Sequence, residues 1–176
     1  MIPFPNPLHP ALIHFPIVLI LLGALATGAS IFLQRWHLPW IAASLLVLGA
    51  IGAIAAALTG GHAEELIGEL NSRADAVLSA HEEWGECTRN AAVMAALFAV
   101  AAASFIRFPL FSKILTVVAA STAVFASYCV ANTGHYGGQL VYKHGAGINM
   151  AAGNADGDSH GEASTGLKTN KGGRDD

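Results

Sequence analysis

Four long apolar runs dominate the chain and decide what it can become. They cover about residues 11–33, 38–58, 90–108 and 114–132, and the first contains no Lys, Arg, Asp or Glu. Each is close to the ~20 residues that an α-helix needs to cross a bilayer. In lipid, a lone segment has to satisfy its backbone N–H and C=O groups internally, so runs of this kind are helices. The expected fold is all-α, a four-transmembrane-helix bundle filling one domain at residues 1–148. Composition agrees: only 12% of residues are charged, about half of the ~25% usual in soluble domains. The mean hydropathy is +0.50 even though the chain ends in a polar stretch. That stretch, 149–176, is Gly, Asn, Asp, Ser and Lys with almost nothing apolar, and it reads as a disordered tail.

The N-terminal run reads as a retained span rather than a secretory signal. No basic residue precedes it, and Pro3, Pro5, Pro7 and Pro10 interrupt its approach. Tight turns are expected at Arg35-Trp36-His37 and at Pro109-Leu110. Orientation follows from Lys and Arg in short loops. Arg35, Arg107 and Lys113 lie at those turns, whereas residues 60–89 carry seven acids against Arg73 and Arg89. The basic turns are therefore expected in the cytoplasm, with both termini and the acidic connection outside a bacterial inner (plasma) membrane. Within that connection Leu66, Leu70, Ala74 and Leu78 recur at helical spacing, flanked by Ile67 and Val77. This predicts an amphipathic helix on the membrane surface between spans two and three.

On the second span, Gly49 with Ala53 and Gly52 with Ala56 form small-xxx-small pairs. These are expected to be packing faces, because small residues let membrane helices approach closely. The net charge of −3 gives no basic footprint for nucleic acid. No HExxH or P-loop occurs, and the GDSHG match to GxSxG at 157–161 lies in the polar tail rather than on a strand-to-helix turn, so the chain reads as a binding or transfer component rather than an enzyme by itself. Cys87 and Cys129 are too few for a disulfide framework. Both fall toward the outer end and could pair, although Cys129 is expected about one helical turn deeper.

The topology sorts the histidines. His9 and His14 begin the first span, His62 follows the second, His81 precedes the third, and His135 and His144 follow the fourth. These six share one end of the bundle, whereas His37 lies at the other end and His160 in the tail. Imidazoles are common at wet interfaces, and that bland account is sufficient for any one of them. Six at one end also fit a site, since ionisable groups at the membrane boundary are functional candidates and neutral imidazole is a frequent metal ligand. His14 sits inside apolar sequence, with Pro10 and Pro16 placed to aim it inward. Glu82 and Glu83, beside His81, are candidate acceptors orienting its ring. After the fourth span, Gly134, Gly137, Gly138, Gly145 and Gly147 remove side chains where a flat cofactor or a crossing helix must come close. Tyr136 and Tyr142 add hydroxyls there.

Three motifs, HPALIHFPIVL at 9–19, HEEWGE at 81–86 and TGHYGGQLVYKHGAG at 133–147, together resemble a bacterial predicted-membrane-protein family. It is the one known as domain of unknown function 2231. The resemblance covers roughly residues 6–148, and its most specific part is the TG-x-x-GG-x-LVY-x-HG-x-G pattern. It implies four membrane helices. Some members are joined to Rieske iron–sulfur or cytochrome c modules, which implies a redox setting and a redox protein of either kind as partner. It implies no activity. His9, His14, His81 and His144 match motif positions, and His135 falls at a variable one.

Two function classes follow. The first is electron transfer through b-type haem, held by imidazoles from different helices. Its candidate residues are His9, His14, His81 and His144, with Tyr142, Gly137 and Gly138 lining the cofactor. The absence of CxxCH excludes covalent c-type haem. The same four histidines serve the alternative of a non-haem metal or ion-handling site. The second class is a non-catalytic membrane anchor or assembly subunit of a redox complex.

Overall fold

The computed structural model describes residues 13–33, 37–64 and 72–145, with the backbone alone for 61–64. The described residues form four helices: α1 His14–Phe32, α2 Leu38–Glu64, α3 Ser72–Ser104 and α4 Pro109–His144. All four are long and apolar enough to cross a membrane, and the described residues contain no strand. Consecutive helices pack together, and α4 closes the bundle against α1. The link from Glu64 to Ser72 is too short to run back along α2, which is about 40 Å long. The end of α2 and the start of α3 therefore lie at one end of the bundle, as His14 and His144 do.

Small residues set the helix separations. In the α1–α2 pair, a Cβ on Gly23 would stand 2.7 Å from Leu46 Cδ2, and one on Gly49 would stand 3.0 Å from Ile20 Cγ1. Gly52 faces Pro16 in the same way, at 3.0 Å. The partners run in opposite directions along the two helices, so each glycine is a socket for the opposing side chain in an antiparallel pair. Gly49 and Gly52 are thus packing positions, as their spacing predicts, and Gly23 is a third socket, on the first span. The buried stripe of α1 is Pro16, Ile20, Gly23 and Thr27, spaced one and two turns apart.

The α3–α4 seam is built almost wholly of alanine. Ala91, Ala92, Ala95, Ala96, Ala99, Ala102 and Ala103 of α3 are buried, as are Ala119, Ala120, Ala123 and Ala126 of α4. Among the described residues, Ile20, Leu46 and Cys129 are the largest fully buried side chains. The bulky apolar residues point outward instead, with Leu25, Phe32, Leu58 and Leu110 all more than two-thirds exposed. That is the inside-out distribution a lipid solvent permits.

Two expectations need correction. No separate amphipathic helix lies at the surface among the described residues: Ser72–Arg89 is the first half of α3 and runs unbroken into the third span. Its apolar stripe packs on α4. Ala74 is buried and Val77 and Leu78 are half-buried, while α4 contributes buried Leu140 at the same end. The expected turn at Pro109-Leu110 lies slightly earlier, at 105–108. Pro109 begins α4, where the missing N–H costs nothing, and Ser112 Oγ closes the turn by donating to the Ala102 carbonyl at 2.8 Å. At 33 and 36 residues, α3 and α4 are about 50 Å and 54 Å long. Each outruns the ~30 Å hydrocarbon core by about 20 Å. The turn at 34–36, His9 and the tail lie outside the described residues.

Gly23→Ala is expected to destabilise the bundle by roughly 1–3 kcal/mol, because Leu46 has no free space to yield into. Gly28→Ala, with nothing within 4 Å of its Cβ position, is expected to be neutral or slightly stabilising. Unfolding midpoints of the two variants in a detergent titration check this.

Candidate functional site

At the end of the bundle where α3 begins and α4 ends, His81 is fixed in place between two helices. His81 is half-buried on α3, and its Nδ1 lies 2.9 Å from the backbone carbonyl of Thr133 on α4. A carbonyl only accepts, so Nδ1 carries the proton of this bond, and in the neutral ring the lone pair is then on Nε2. The ring lies against Gly137, where a Cβ would stand 3.0 Å from Cε1 and 3.2 Å from Nδ1. In an α-helix the Thr133 carbonyl points at the amide of the residue four along, which is Gly137. A side chain there would stand between the imidazole and that carbonyl. The Thr133-to-Gly137 spacing therefore makes a bare notch that accepts a histidine from the neighbouring helix.

A second polar layer lies one turn deeper. Thr88 Oγ1 and Thr133 Oγ1 are 3.2 Å apart across the seam. Each also reaches a carbonyl on its own helix, Thr88 to Trp84 at 2.9 Å and Thr133 to Cys129 at 2.9 Å. Two hydroxyl protons are thus shared among three contacts. Trp84 and Tyr128 meet edge to face, with centroids 5.6 Å apart. Trp84 and Tyr128 sit where α3 and α4 leave the apolar stretch, a usual level for amphipathic rings.

The other expected site residues scatter. His14 begins α1 with its side chain exposed, and it is Pro16 that turns inward. His144 ends α4, half-buried, on the face that also carries Thr133, Gly137 and Leu140. Tyr142 is 89% exposed and turned away from the bundle. Gly138 and Gly134 have nothing within 4 Å of their Cβ positions, so neither is a socket. Gly145 serves a different purpose: at φ 65° it is the left-handed cap that ends α4. His135 is exposed and bonded through Nε2 to Gln139 at 2.8 Å. Glu82 and Glu83 are exposed, and the acceptor on His81 Nδ1 is the Thr133 carbonyl instead. Among the described residues, no three His, Cys, Asp or Glu side chains come together as a metal cage.

The description "predicted membrane protein (DUF2231)" matches residues 5–150. The chain belongs to this family. No curated protein and no solved structure matches it. For this DUF2231 chain, the family motif around HEEWGE and the TGHYGG segment meet physically in the His81–Thr133–Gly137 contact. The sequence singles out His81 and Gly137, but the partner that joins them, Thr133, is a backbone acceptor with no side-chain signature. The available signal is the i, i+4 Thr-to-Gly spacing opposite a histidine.

Gly137→Ala is expected to lower the unfolding midpoint, since the imidazole must shift and its bond to Thr133 must lengthen. Gly138→Ala is expected to raise it slightly, by up to about 1 kcal/mol of helix propensity. Thermal unfolding of both variants in the same detergent reads the difference.

Proposed function

We propose that this chain is an electron-transfer component of a bacterial inner membrane, binding b-type haem at the histidine-bearing end with His81 as one axial ligand. The observation that carries this reading is the His81 Nδ1–H bond to the Thr133 carbonyl. Metal-bound imidazoles characteristically donate their second nitrogen to a carbonyl or carboxylate, which fixes the tautomer and leaves Nε2 for the metal. The residues fit haem better than a compact non-haem site. A b-type haem would need only two imidazoles, whereas a closed cage needs three or four ligands, and the described residues gather no such cluster. The second ligand is drawn from His14 or His144, with His9 outside the described residues. Gly134 and Gly138 leave the α4 surface beside His81 bare. Haem would supply a one-electron carrier there, while Thr133 and Gly137 hold the ring that faces it.

The orientation belongs to the same reading. Arg35, Arg107 and Lys113 at the short turns support a cytoplasmic placement. The histidine end and both termini then face outward, where a cytochrome c or a Rieske-type protein would exchange electrons.

The detergent-purified protein, expressed with haem available, is expected to show a Soret band that shifts on dithionite reduction, with sharp α and β bands. His81→Ala should lower the haem content several-fold while membrane insertion is retained. A colourless wild-type protein would leave the His81–Thr133 bond as a pin between two helices and favour the anchor or assembly role. A secretion-dependent reporter fused after residue 148 is expected to be active, and an inactive one would reverse the orientation.

A further inference from the structure

Cys87 and Cys129 sit on facing surfaces of α3 and α4. Both are free thiols, and their side chains lie near enough to interact electrostatically. The local register explains the contact. Thr88, next in sequence to Cys87, touches Thr133, and Thr133 donates to the Cys129 carbonyl one turn below. The alanine ladder deeper in the seam keeps the two backbones close at this level. This register leaves Cys129 one turn below Thr133, as the sequence suggests, and still within reach of Cys87.

The two thiols differ in access. Cys129 is fully buried, whereas Cys87 is half-buried and lines an open groove with Asn90, Ala91, Met94, Thr122 and Phe125. Its neighbours Glu86 and Arg89 form a surface ion pair at 3.8 Å, which places Cys87 at the level where charged groups meet water. One sulfur is thus reachable from outside and the other only through the first. This is the arrangement of an attacking thiol backed by a resolving thiol.

We infer that Cys87 and Cys129 form a reversible intramolecular dithiol–disulfide pair that joins α3 to α4, oxidised by an incoming disulfide through thiol–disulfide exchange. The Cys87 thiolate attacks one sulfur of the incoming disulfide and releases the other half as a thiolate. Cys129 then gives up its proton, attacks Cys87 Sγ and displaces the second half. Two protein thiols and one external disulfide become one protein disulfide and two external thiols, so two electrons leave the protein and two protons pass to the released thiols. This is independent of the haem reading and needs none of its residues.

The test is a redox titration of the detergent-solubilised full chain in mixtures of oxidised and reduced glutathione. Each sample is acid-quenched, unfolded in SDS and tagged with a maleimide polymer. Both thiols are expected to disappear together in one transition, with a monomer on non-reducing gels and an intact mass lower by two hydrogens. C129S is expected to stop with one glutathione on Cys87, and C87S should leave Cys129 available to the maleimide. The inference is overturned if both thiols stay taggable in the most oxidising mixture. It is equally overturned if the wild-type chain ends as a stable glutathione adduct or as a cross-linked dimer. Should either serine variant fail to insert, the wild-type titration alone decides.

Discussion

Close approach of helix backbones is the constraint on which the rest of the molecule depends. Lipid tails are as apolar as leucine, so burying a large side chain between membrane helices gains little over leaving it in lipid. What remains is dispersion, which falls off within a fraction of an ångström of contact. The chain meets this with two devices. Between α1 and α2, Gly23, Gly49 and Gly52 are sockets for Leu46, Ile20 and Pro16. Between α3 and α4, alanine faces alanine over about two turns. Bulk is sent to the lipid surface.

The close α3–α4 seam also governs what happens where it leaves the membrane. Helices held this near can exchange hydrogen bonds between a side chain and a backbone carbonyl, which wider packing would not allow. His81 uses that proximity to reach Thr133, and the missing side chain at Gly137 makes the last part of the approach possible. A half-buried imidazole with one nitrogen already bonded avoids most of the desolvation cost of an unpaired ring. A ring so fixed is a stronger candidate for a ligand than one on a mobile surface turn. The exposed His135 bonds instead to Gln139 of its own helix.

Hydropathy alone is sufficient for the four helices, because a ~20-residue apolar run has few alternatives. The outer half of α3 shows where such reading stops. The stripe through Leu66, Leu70, Ala74 and Leu78 states that one face is buried, but not against what. A membrane surface and a neighbouring helix demand the same spacing. The physical discriminator is the partner: the apolar stretch of α4 ends near residue 132, yet the helix continues to His144 and presents buried Leu140 at the level of Leu78. The glycine cluster was legible as a need for bare backbone, and Gly137 fulfils it for a crossing helix. Gly145 fulfils a different need, as a cap. Nothing in the residue types separates those two glycines from Gly134 and Gly138, which meet nothing.

Along the α3–α4 seam the chemistry is layered. Alanine fills the middle of the membrane, the paired thiols follow, then the threonine hydroxyls, and last the imidazole with its carbonyl. Polarity rises in the order in which water becomes available, so each layer sits at a depth its own desolvation cost permits. The α1–α2 pair shows no such gradation in its described contacts, where glycine sockets and aliphatic side chains alternate. The graded polar contacts therefore belong to the α3–α4 hairpin, and the α1–α2 hairpin packs against it. A displacement of α3 against α4 by a single residue would part His81 from Gly137 and Cys87 from Cys129 together. The alanine register in the middle of the membrane thus sets the geometry of both contacts at its edge.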